Sequence, residues 1–136
     1  MHGKLNPQTN QYIGGSIITG QKNKIYEGTD NAHVSGYNNN FTGGNSYTFV
    51  SGYDNTLTGS GNSIVVGNKN TLSCKANSTS NSGNFIVGTN NKTDRSYTVL
   101  QGHSLTVDKG DNYQYVRGRF NAPGDYIDVV AYGDAD

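Results

Sequence analysis

The chain has 136 residues, a length that suggests one domain. Apolar residues make up 32% of it, below the ~45–50% of an ordinary globular chain, which argues against one large compact core. Ten Lys plus Arg balance ten Asp plus Glu, so no basic stripe supports phosphate neutralisation of a nucleic acid, and no apolar run is long enough to span a membrane as a helix.

Residues 1–15 hold Pro7 and Gly14-Gly15 and read as an irregular lead-in. The opening MHGKLNPQTN lacks the apolar stretch of a signal peptide, so any export address is expected elsewhere. From residue 16 to residue 136 the chain repeats. Ser46–Ser73 reads SYTFVSGYDNTLTG and then SGNSIVVGNKNTLS, two copies of one frame. A frame that returns at fixed intervals makes each copy one structural unit laid on the last. Its glycines are Gly20, Gly36, Gly52, Gly67, Gly88, Gly102, Gly118 and Gly133. The intervals are 14 to 16 residues, except for 21 between Gly67 and Gly88, where CKANSTSN (74–81) reads as an inserted loop. The lone Cys74 within it reads as a bystander.

Two positions before each glycine stand Ile18, Val34, Val50, Val65, Ile86, Leu100, Val116 and Ala131. Five after it stand Ile25, Phe41, Leu57, Leu72, Thr93, Val107 and Pro123. These two sets predict two short strands per turn with a shared interior. Three after the glycine stand Asn23, Asn39, Asn55, Asn70, Asn91, then Leu105, then Asn121. Asn tolerates the left-handed conformation and bonds along a stacked column, so these residues predict a turn ladder rather than catalysis. The expected fold is all-β, a parallel β-roll (β-solenoid) of about eight 15–16-residue turns, roughly 40 Å long at about 4.8 Å per turn. No helix is supported, because no apolar set keeps a 3.6-residue period.

Three before each glycine stand Ile17, His33, Phe49, Ile64, Phe85, Val99, Tyr115 and Val130. They adjoin the interior set, so in a strand they face the other way. A strand apolar on both faces is normally covered on both. The simplest cover is the same chain in a closed homo-oligomer, such as three copies around an axis, although the period alone does not set the number.

Chemistry is sparse. His2, His33 and His103 lack partners at zinc-ligand spacing. Asp108, Asp111, Asp125 and Asp128 are close in sequence, and DKGDN (108–112) faintly resembles a calcium loop without its alternating ligands or final Glu. No nucleophile elbow or phosphate loop occurs. No cofactor, no metal and no catalytic residue is expected, and the chain reads as a non-enzyme. Tyr37 and Tyr53 follow the glycine in successive turns and predict a stacked pair, a possible surface for a cell-surface glycan or protein.

NAHVSGYNNNFTGG (31–44), NSYTFVSGYDNTLTG (45–59) and SGNSIVVGNKNTLS (60–73) resemble the repeats of trimeric autotransporter adhesin heads and of bacteriophage tail fibres. The resemblance covers about residues 16–133 and implies a left-handed roll, three chains, and adhesion or receptor binding. The final QYVRGRFNAPGDYIDVVAYGDAD resembles segments of tail and prophage proteins. The expectation is therefore a structural, host-binding segment of a trimeric phage or prophage fibre, cut from a longer array, outside the cell or on a virion. An adhesin head is the alternative. A polysaccharide-degrading tailspike and a solenoid acyltransferase are weaker rivals. An ice-binding solenoid would need flat Thr arrays: Thr42 and Thr58 fit, whereas Tyr26 and Asp94 interrupt that row.

Overall fold

The computed structural model describes residues 4–5, 12–13, 15–25, 29–43, 45–73, 81–108, 112–119 and 129–131. In chain order the strands are β1 (Lys4–Leu5), β2 (Tyr12–Ile13), β3 (Ile17–Gln21), β4 (Lys24–Ile25), β5 (His33–Tyr37) and β6 (Asn40–Thr42). Next come β7 (Phe49–Tyr53), β8 (Thr56–Thr58), β9 (Ser60–Gly61), β10 (Ile64–Asn68), β11 (Thr71–Ser73) and β12 (Asn81–Ser82). The last are β13 (Phe85–Thr89), β14 (Lys92–Thr93), β15 (Val99–His103), β16 (Thr106–Val107), β17 (Gln114–Arg119) and β18 (Val129–Ala131).

The architecture is an all-β parallel β-solenoid with a period near 16 residues. The five-residue strands β3, β5, β7, β10, β13 and β15 stack in parallel with β17 into a long sheet. The shorter strands β4, β6, β8, β11, β14 and β16 stack into a second sheet. Glycine faces glycine at every step of the long sheet, as in Gly36↔Gly52 and Gly52↔Gly67. That contact needs glycine: a Cβ on Gly36, whose φ is 123°, would run into the Gly52 carbonyl of the next turn.

Between the sheets, Val34, Val50, Val65, Ile86, Leu100 and Val116 from the long sheet meet Phe41, Leu57 and Leu72 from the short one, all essentially inaccessible. Thr93 occupies the same inner position of β14, and its Oγ1 accepts from Arg95 N–H at 3.0 Å. A third inner column is small and, apart from Ala32, polar: Ser16, Ala32, Thr48, Ser63, Asn84 and Thr98. Their polar groups bond the chain itself, as when Asn84 Oδ1 accepts from Thr98 N–H at 2.9 Å and Thr48 Oγ1 donates to Ser60 O at 3.1 Å.

The Asn column runs through the wall of the roll. Asn55 Nδ2 donates to Asn39 Oδ1 (2.9 Å) and to Gly67 O (2.8 Å), while Asn55 Oδ1 accepts from Asn70 N–H (3.0 Å). Asn23, Asn39, Asn70 and Asn91 repeat the pattern, and the column ends where Leu105 N–H donates to Asn91 Oδ1 at 3.0 Å.

Two features differ from the sequence reading. Seven long strands stack in parallel, not eight. Strand β18 instead runs antiparallel along β17, with Val130 opposite Tyr115 and Val129 opposite Val116. Val130 therefore does not extend the outer column in register, and Ala131 does not extend the inner one. Pro123 and Gly124 interrupt the frame in the sequence before that strand. Second, Ile18 is half-buried, unlike its six parallel counterparts, because it lies on the first turn. Residues 74–80 of the expected insertion, Asn121 and Pro123 lie outside the described residues. Asn81 and Ser82 pair in parallel with Ser60 and Gly61.

Candidate functional site

Each sheet turns one face outward. On the long sheet Ile17, His33, Phe49 and Ile64 are exposed and Phe85, Val99 and Tyr115 are half-buried. The His33 ring stacks on Phe49, centroids 5.1 Å apart at 19°. Beside them run Thr19, Ser35, Ser51, Val66, Val87, Gln101 and Arg117 in register. The side chains along this face differ in size from rung to rung, so it is apolar but uneven.

The short sheet has a different outer face. Its strands place one buried residue between two outward ones. The first outward column is Lys24, Asn40, Thr56, Thr71, Lys92, Thr106. The second holds Thr42, Thr58 and Ser73 in register, and Asp94 and Asp108 follow the next two strands. Asn40, Thr42, Thr56, Thr58, Thr71 and Ser73 thus form a grid of three adjacent strands by two positions, and each is half-buried. Thr42 Oγ1 and Thr58 Oγ1 lie 2.8 Å apart. Directly beneath stand Phe41, Leu57 and Leu72.

Rung spacing across a sheet is about 4.8 Å, and alternate residues along a strand are about 6.7 Å apart. The grid is therefore a two-dimensional array with two set repeats, in which Thr42, Thr56, Thr58, Thr71 and Ser73 supply hydroxyls, the threonines supply methyls and Asn40 an amide. Thr has few χ1 choices, so the array is ordered before anything touches it. At its far side Lys92 breaks the first column. Asp94 and Arg95 form an ion pair at 3.2 Å, and Arg95 Nη2 donates to Asp108 O at 2.8 Å.

The other sequence candidates fall as follows. Tyr37 and Tyr53 pair in register and are exposed, and Lys22 Nζ donates to Tyr37 Oη at 2.6 Å. The tyrosine rings that stack face to face are Tyr97 and Tyr113, 4.7 Å apart at 4°. Asp111, Asp125, Asp128, His2 and Cys74 lie outside the described residues, and no metal-holding group of His, Cys, Asp or Glu occurs among those described. The sequence reading tested only the Thr42 row for a flat hydroxyl surface. The second row, Thr56 and Thr71 one residue before the buried Leu, carried the missed signal.

The described residues thus form a parallel solenoid with an in-register grid of mostly hydroxyl side chains on its short sheet. The family model of the grass antifreeze beta roll matches residues 26–122, and the chain belongs to that family. Five full two-strand turns, from β5–β6 to β15–β16, lie within the match. No curated protein and no solved structure matches the chain significantly.

This match corrects the functional expectation. The likeness to adhesin heads and phage fibres rests on the recurring aliphatic, Gly and Asn positions, which in this chain build the stack. The family matched is an ice-binding one, neither a fibre nor an adhesin. The chain is not an enzyme. The extracellular expectation stands in that coarse form, since antifreeze proteins are typically secreted, while a virion has no support.

Proposed function

We propose that this protein binds ice through the outer face of the short sheet. Asn40, Thr42, Thr56, Thr58, Thr71 and Ser73 form the contact. The observation that carries this reading is the in-register grid of these residues on adjacent strands, in a chain of an antifreeze family.

Ice presents a flat lattice with a fixed repeat, so its binder needs a flat, fixed array rather than a pocket. The parallel ladder sets one repeat and strand pleating sets the other. The hydroxyls hold water in lattice-like positions, and the methyls between them restrict that water's alternatives. Rotamers already fixed by packing lose little entropy on contact. Many weak contacts then act as one, because binding at one rung brings the next into place.

The long sheet offers more rungs, but its Phe, His, Ile and Tyr vary in height and present no matching lattice. The roll it helps to form holds the short sheet's strands in register. Association of chains through the Ile17–Tyr115 column remains a separate proposal, tested by solution mass.

The test is thermal hysteresis and inhibition of ice recrystallisation by the purified chain. Wild type is expected to show both. Thr58→Tyr, which raises a bulky ring in mid-grid, should lose most of the activity. Ser51→Tyr on the outer face of the long sheet should retain it. The reverse pattern would move the site to the long sheet, and an inactive wild type would end the proposal.

A further inference from the structure

The two ends of the roll are finished differently. At the β17 end, the antiparallel strand β18 lies along the edge and Val116 is only 1% exposed. At the β3 end, Ile18 is half-buried, whereas Val34, Val50, Val65, Ile86 and Leu100 are each 0% exposed. Thr19, Gly20 and Gln21 are exposed, while Ser35, Gly36, Ser51 and Gly52 in the next two rungs are half-buried. Strand β3 is the terminal member of the long sheet.

Its hydrogen-bonding groups identify what fits there. Ile17 N–H donates to Ala32 O at 2.8 Å, and Gln21 O accepts from Asn38 N–H at 3.0 Å. Residues 17, 19 and 21 therefore turn their backbone groups towards β5, and by alternation Ile18 and Gly20 turn theirs off the end of the sheet. The complement is another strand. Natural edges are commonly blunted by charge, proline or a bulge. The sequence of β3, IITGQ, has neither charge nor proline.

We infer that this edge pairs with the same edge of a second copy, antiparallel, about a two-fold axis through Thr19. Ile18 and Gly20 then face Gly20 of the partner subunit and Ile18 of the partner subunit, exchanging backbone hydrogen bonds at both positions. Thr19 meets Thr19 of the partner subunit. The arrangement is self-complementary, as a two-fold interface requires. The β17–β18 pairing within the chain already uses the same device, an antiparallel strand that ends the parallel stack beside the buried Val116. Lys22 and Lys24 fall at opposite ends of the paired strands, so their charges do not meet. The two rolls become coaxial, and Ile18 is covered in both.

Sedimentation equilibrium across a wide concentration range tests this without reference to ice. Wild type should approach twice the chain mass of 14.6 kDa at high concentration. Thr19→Lys and Thr19→Asp each put like charges face to face on the axis, and each variant alone should stay near 14.6 kDa. Mixing the two variants should restore the dimer, which an unfolded variant could not do. In a Cys74→Ser background, Thr19→Cys should give an intermolecular disulfide on oxidation. A wild type that stays monomeric overturns the inference. So does a trimer, or a dimer that survives both charged substitutions but is lost in Phe49→Asp.

Discussion

Thr58 Oγ1 sits 2.8 Å from Thr42 Oγ1, one strand away on the short sheet. Rungs are about 4.8 Å apart, so at this distance the two hydroxyls turn toward each other and hydrogen-bond across the strands. Thr56 and Thr71 pair in the neighbouring column. The face thus combines two in-line rows with little freedom in either. Thr58→Val keeps the shape and methyl groups but deletes the hydroxyl. It should weaken thermal hysteresis several-fold less than Thr58→Tyr, which destroys the plane. Because Leu57 below remains fully buried, the unfolding temperature should change little in either variant. Hysteresis and a melting curve on each variant check this.

Lys92 marks where the grid stops. It pairs with Thr71 on one side and Thr106 on the other, in the column that would otherwise read Asn40, Thr56, Thr71, Thr, Thr106. The neighbouring Asp94 interrupts the second column. Lys92→Thr combined with Asp94→Thr should extend the grid from three strands to four, reach Thr106, and raise hysteresis above wild type. The substitution removes the Asp94–Arg95 ion pair, whose side chains are 25% and 13% exposed, and leaves a largely buried Arg95 without its carboxylate, which costs more than losing a surface pair. The double variant should therefore melt lower than wild type, and hysteresis is compared well below its own melting temperature. Unchanged hysteresis in a folded double variant would count against this face.

The stack itself was legible because three signals share one period. Glycine at the reversal, an aliphatic residue two before it and Asn three after it forced the register seen in Gly36↔Gly52 and Val34↔Val50. The third inner column was not legible. Thr48, Ser63 and Thr98 are polar, so they read as loop until the structure showed each of them buried. The hydroxyl grid was only half visible. Thr56 and Thr71 are also ordinary strand formers, and one row of Thr, broken by Tyr26 and Asp94, looked like no array at all. Nor does a period encode its own end. The reversal of β18 along β17 has no signal in the repeat beyond Pro123. The likeness to fibre repeats misled because it rests on the residues that build the stack, whereas function lies in the outward residues, which the stack leaves free to vary.

Asn55 holds the middle of the ladder and should be the costliest of the asparagines to remove. Asn55→Ala leaves Asn70 N–H without its acceptor and takes the Nδ2 donor from Gly67 O and from Asn39 Oδ1, which keeps its bond from Asn55 N–H. A buried donor left unpaired costs about 1–3 kcal/mol and each further lost bond about 1 kcal/mol, so the loss should reach about 3 kcal/mol or more. Asn23 begins the column and is half-buried, so truncating it opens the one donor it orphans, the otherwise buried Asn39 N–H, to water from the side that Asn23 occupied. Its cost should be about 1 kcal/mol. Chemical denaturation of both variants gives the comparison, and equal losses would contradict the view of a ladder anchored at its centre.

Tyr47 stands at a corner with φ of 55°, where Asn31 and Asn62 hold the equivalent turns at 52° and 50°. Asn suits the left-handed region because its short amide bonds the local backbone, whereas a bulky ring there is strained. Tyr97 and Tyr113 accept the same conformation but stack on each other, which returns part of the cost. Tyr47 is 65% exposed, the most exposed of the large hydrophobic side chains described, so little packing is lost when it is replaced. Tyr47→Asn should therefore stabilise the roll by about 1 kcal/mol, read as a rise in melting temperature. Tyr97→Asn should destabilise it, because that ring packs over Gly83 as well as against Tyr113. If both substitutions moved the melting temperature in the same direction, backbone strain would not be what separates the two corners.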